Sequence, residues 1–125
     1  MRTNTITING KEYLLCFSVR VIRDCTERYG DMGKIGEVLS DKDPVKGLDE
    51  AIWLLQRMMD AGSRYAKIEG LENPEPLSCD GLYDCCGLDE YVPLKSKVME
   101  TIVGGQKAGI EVEPSKNAKA TPGKG

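Results

Sequence analysis

The chain has 125 residues, 17 Lys plus Arg against 20 Asp plus Glu, a net charge of −3 and no histidine. That length fits one domain with one modest core, in which about two-thirds of the unfolded surface is buried. The acidic balance argues against a chain whose main business is nucleic acid or an anionic membrane; with no apolar run near the roughly 20 residues of a membrane span and a polar start, MRTNTITING, instead of a signal peptide, the expected setting is the cytoplasm.

Thr3 to Ile8 alternates polar and β-branched residues, Asn9-Gly10 follows, and Lys11 to Cys16 resumes the β-prone pattern. Asn-Gly between two such runs predicts a hairpin, because both residues tolerate positive φ. A lone hairpin is marginal in water, so it has to lie on the helices that follow. The next helix is capped by Ser18 and stopped by Gly30. Val19, Val21, Ile22, Cys25 and Tyr29 gather on one side of it. Arg20, Arg23, Asp24, Glu27 and Arg28 gather on the other, where the interleaved signs read as a self-paired, solvated face rather than a phosphate site. Asp31 to Asp43 reads as a connector with one helical turn, Ile35 to Leu39, since Gly33 and Gly36 weaken anything longer.

The longest helical pattern runs from Pro44 to about Ala66, with Asp43 as cap and Pro44 at the first position, where its missing donor costs nothing. Leu48, Ala51, Ile52, Leu54, Leu55, Met58, Met59, Gly62, Tyr65 and Ala66 fall on one broad arc. Lys46, Asp49, Glu50, Gln56, Arg57, Asp60 and Arg64 occupy the opposite arc, and Trp53, the only tryptophan, stands between Asp60 and Arg64. The core side of this helix cannot cover Trp53. Either the hairpin or the last helix packs over it, or it is a hot spot for a partner or for self-association. Met58 and Met59 either fill the core or supply an adaptable apolar surface, the core reading being stronger for Met59. Trp53, Arg57, Met58 and Arg64 are therefore the candidate protein-binding residues.

GLENPEP then forms a loop, and Leu77 to Gly87 a short helix capped by Ser78 with Cys79, Leu82 and Cys86 inward. A last helix starts at Asp89 or Tyr91, carries Pro93 in its first turn, lines up Tyr91, Leu94, Val98 and Ile102, and runs to Val103, where Gly104-Gly105 ends it. Residues 1–105 form the single predicted domain. From Gln106 to Gly125 the sequence has little to bury and is expected to be a flexible tail. Removing the tail's +2 from the total leaves the domain at −5.

The five cysteines are an odd set without a secretion signal, and read as free thiols. Cys79, Cys85 and Cys86 cluster, yet they lack paired C-x-x-C spacing and a histidine, so buried apolar thiols are favoured over a metal or redox site. No nucleotide-binding glycine motif, Walker lysine or nucleophile elbow occurs, and Asp80, Asp84, Asp89 and Glu90 do not fit an EF-hand loop. The sequence thus predicts an α+β domain, an N-terminal β-hairpin packed on helices, that binds other proteins and has no catalytic, cofactor or metal site.

The order of a TITINGKEYLLCFS hairpin, a helix ending near Tyr29-Gly30, the helix DEAIWLLQRMMDAGSRYA, a Pro-broken acidic loop and a last helix resembles the tail assembly chaperones of long-tailed bacteriophages and prophages, over residues 4 to 103. The segment around Gly81 and Cys85-Cys86 departs from the more regular acidic helix of that pattern. The resemblance implies a non-enzymatic factor of the bacterial cytoplasm, absent from the mature virion. Such proteins coat the tape measure protein and help the tail tube protein polymerise around it. A head-to-tail joining or tail-completion protein is the nearest alternative, and a cysteine-based metal or redox regulator a more distant one. The resemblance also implies a second, longer product made by ribosomal slippage, for which codons at Gly123-Lys124 are a candidate site.

Overall fold

A computed structural model describes residues 2–112, and the side chains of residues 2–106. Asn9 and Gly10 take φ of 51° and 79°, the pair of positive values a type I′ turn demands. The turn sets the register of an antiparallel hairpin, β1 (Thr3–Ile8) and β2 (Lys11–Cys16), from Ile8 opposite Lys11 to Thr3 opposite Cys16. With side chains alternating, Ile6 and Ile8 share a face with Tyr13 and Leu15, and all four are buried.

Helix α1 (Val19–Tyr29) starts where the Ser18 side chain accepts from the Val21 amide, and Gly30 closes it. A 3-10 turn (Met32–Lys34) leads into α2 (Ile35–Leu39). Helix α3 (Pro44–Glu69) begins with the Asp43 carboxylate accepting from Val45 N–H and extends one turn past Ala66. It is the axis of the fold, packing against β2 and against each of the other four helices among the described residues. Leu54, Leu55, Met58 and Met59 along it have no exposed surface. At Gly62 it presses on β2 so closely that a Cβ would overlap the Leu14 carbonyl oxygen, a contact only glycine allows. The outer edge of β2 is closed as well, because Leu14 N–H donates to the Asn73 side chain at 2.9 Å, which gives the GLENPEP loop a fixed anchor.

Helix α4 (Cys79–Cys85) is capped by Ser78 and buries Leu82, as its sequence predicts. Helix α5 (Leu88–Val112) packs across β1 and brings Leu94, Val98 and Ile102 into the core. It starts earlier than Asp89 or Tyr91, so Pro93 stands in the second turn rather than the first. The donor it lacks falls opposite the carbonyl of Asp89, an exposed residue whose oxygen water can satisfy.

The expected end of the last helix at Gly104-Gly105 is corrected: α5 runs through both glycines to Val112. A Cβ at Gly105 would overlap the ring of Phe17, so this glycine serves close packing between α5 and the end of β2 instead of breaking the helix. The predicted boundary at residue 105 therefore falls inside a helix. Of the predicted tail, residues 113–125 with Gly123-Lys124 lie outside the described residues. The architecture is α+β, and among the described residues no helix is long and apolar enough to cross a membrane.

Candidate protein-binding surface

The four candidate residues do not form one patch. Trp53 is half-buried, and its cover is the C-terminal end of α1 rather than the hairpin or the last helix. The Tyr29 ring meets it edge-on, with centroids 5.9 Å apart and planes at 86°, and the Arg28 guanidinium lies 4.4 Å above its centroid. Glu50, one helical turn before Trp53, holds both neighbours in place. Its carboxylate accepts from Arg28 Nε at 2.8 Å and Nη2 at 3.1 Å, and from the Tyr29 hydroxyl at 2.6 Å. The hydrogen bonds from Arg28 hold the Glu50 carboxyl below its usual range. The same bonding raises Arg28, while burial and then the Glu50 hydrogen bond push the Tyr29 phenol up. The group is a charge-assisted clasp that fixes α1 on α3.

Arg57 is spent within its own helix, donating to Gln56 Oε1 at 2.6 Å and to Asp60 Oδ2 at 3.1 Å. Gln56 was expected on the polar arc but is buried, because its amide donates to the Leu77 carbonyl at 3.3 Å and so ties down the approach to α4. Met58 is a correction to the candidate set. It has no exposed surface, so it fills the core and offers nothing to a partner in this fold. Met59 does the same, with its sulfur accepting from Leu77 N–H at 3.3 Å.

Arg64 lies elsewhere, on a groove of about 680 Å³ built from four parts of the chain. Phe17 and Ala61 supply buried floor, and Val19, Ile22, Tyr65 and Ile68 supply walls. Val19 is 81% exposed and Ile68 79%, unusually bare for large β-branched side chains. Arg2 and Arg20 line the groove together with Arg64. A smaller hollow of about 320 Å³ lies between β1 and the start of α5, lined by Ile6, Ile8, Pro93 and Leu94 with Asp89, Glu90 and Lys97.

All five cysteines are free thiols, with Cys16 and Cys25 buried and Cys79, Cys85 and Cys86 partly so. Burial, helped by Asp24, pushes Cys25 up to about 11, and burial raises Cys16, Cys79 and Cys86 too. These thiols stay protonated near neutral pH and are poorly suited to attack or to ligate. Among the described residues no three Cys, Asp or Glu side chains converge as metal ligands would.

Sequence reasoning missed the clasp and the groove. Each joins residues far apart in the chain, such as Arg28 with Glu50, or Arg2 with Arg64, and no one-dimensional pattern signals the pairing. No family model, curated protein or solved structure matches this chain.

Proposed function

We propose that this protein is a non-enzymatic tail assembly chaperone of a long-tailed bacteriophage or prophage. It binds the tape measure protein in the host cytoplasm, shields that protein's apolar helical surface, assists tail tube polymerisation and is left out of the finished particle. The observation that carries this reading is the groove beside Arg64, a concave apolar surface with bare Val19 and Ile68 on its walls. Clustered exposed apolar side chains mark docking surfaces, and an apolar groove walled by two helices suits an amphipathic helix of a partner. The order of hairpin, helices and acidic loop supports the same reading through its resemblance to these chaperones.

The test is co-expression with the tape measure protein encoded nearby. The expected result is a soluble complex that co-elutes in size-exclusion chromatography, with this protein missing from purified virions by mass spectrometry. A tape measure protein that stays insoluble, or this chain found as a stoichiometric virion component, refutes the proposal. The second outcome would favour a joining or completion protein.

A further inference from the structure

We infer that the groove selects an amphipathic helix whose apolar stripe is flanked by carboxylates. The inference rests on the proposed function only for naming that helix as part of the tape measure protein. The selection by charge comes from the groove's own lining.

Half of the six arginines are neutralised where they stand: Arg23 pairs with Asp24, Arg28 with Glu50 and Arg57 with Asp60. Arg2, Arg20 and Arg64 have no ion pair among the described residues, and these are the three that line the groove. No Asp or Glu lines it with them among the described residues. In a chain of net charge −3, this is a local reversal of sign set around an apolar hollow. Arg2 is also partly positioned, since its guanidinium lies 5.7 Å from the centroid of the Tyr65 ring. A guanidinium fork matches a carboxylate in two parallel hydrogen bonds, and apolar walls strengthen such pairs by excluding water.

The occupant is helical because the backbone at the floor is already satisfied. Phe17 N–H donates to the Arg2 carbonyl at 2.7 Å, and the walls come from α1 and α3, which bond internally. An added strand would find no ladder there, whereas a helix brings its own hydrogen bonds and needs only an apolar face. The chain's residues 113–125 have three lysines and one glutamate, the wrong sign to be drawn in.

The experiment titrates the full chain against two fluorescein-labelled amphipathic peptides with the same leucine stripe, one flanked by glutamates and one by lysines. The glutamate peptide should bind at least about tenfold more tightly at low salt, and the gap should shrink as salt shortens the screening length. Arg20→Glu with Arg64→Glu should reverse the preference. Both residues are exposed, and a circular dichroism melt verifies that the double variant folds. Val19→Ser with Ile68→Ser should weaken both peptides together. Equal binding of the two peptides, no binding of the glutamate peptide, or dimers in sedimentation that the Val19→Ser and Ile68→Ser changes dissolve would each overturn the inference. Capture of the tape measure protein without a peptide preference would sink the charge selection and leave the proposed function standing. Peptide preference without that capture would do the reverse.

Discussion

Trp53→Ala separates a structural role for this residue from a docking role. Three losses can be read from its surroundings. The edge-on contact with Tyr29 is worth about 1 kcal/mol and the overlying Arg28 guanidinium, at a partly wet site, about 0.5 kcal/mol. A half-buried indole removes on the order of 100 Å² from water, or about 2.5 kcal/mol by area. The end of α1 can settle into part of the space, so the net expectation is about 3 kcal/mol, or a fall in Tm of roughly 10 °C for a domain of this size. Urea unfolding followed by far-ultraviolet circular dichroism is the assay, since the substitution removes the only tryptophan and its fluorescence. Arg28→Ala and the double variant complete a cycle whose coupling should be about 0.5–1 kcal/mol. A loss under about 0.5 kcal/mol for Trp53→Ala, set against the cost usual for a packed aromatic, would show the clasp to be idle and return Trp53 to the list of partner hot spots.

Glu50→Gln should cost stability at neutral pH and flatten the acid limb. Because Arg28 holds the folded carboxyl below the 4.5 of a free glutamate, the clasp's contribution is full above that value and is lost as pH falls through the lower folded one. Stability measured from neutrality down to about pH 3 should therefore fall more steeply for the native chain than for the variant, and parallel curves would contradict this. Gly62→Ala forces a methyl group into the Leu14 carbonyl and should cost at least about 2 kcal/mol despite alanine's better helix propensity, whereas Gly36→Ala, which meets open space, should be neutral or stabilising by up to about 1 kcal/mol. Equal stabilities for these two variants would mean that α3 and β2 are not in the contact described. A thiol-titrating disulfide reagent at mildly alkaline pH should leave Cys16 and Cys25 unreacted until the protein unfolds, and prompt modification of either would argue against its burial.

The local elements were legible because their signals are local. Asn9-Gly10 announces the hairpin, Ser18, Asp43 and Ser78 announce three helix starts, and the apolar arc of α3 announces the core. What was not legible depends on neighbours brought in by the fold. Gly104-Gly105 carries the pattern of a helix stop, yet Gly105 is used for contact with Phe17, 88 positions away in sequence. Gln56 looks solvated on a helical wheel until the Leu77 carbonyl arrives beside it. Trp53 lies off the core arc on a helical wheel, but nothing in its own helix shows that α1 covers it. The groove was the least visible feature, as Arg64 is one of several charges on α3 and becomes distinctive only beside Val19, Arg20 and Arg2.

The pairing of the first strand with the last helix has a consequence for synthesis. Asn4 donates to Glu100, 96 residues later, and α5 is what covers the β1 side of the hairpin. On a ribosome adding about 5–20 residues per second, Ile6 and Ile8 emerge about 5–20 s before their cover can form. The hairpin and α3 can meet early, but the domain cannot close until α5 has left the exit tunnel. Each newly made molecule thus spends seconds with a bare, uncharged β-strand, TNTITI, presented to its neighbours on the same polysome. Slowing translation over the codons of α5 should lower the soluble yield, whereas slowing it after α5 has emerged should not.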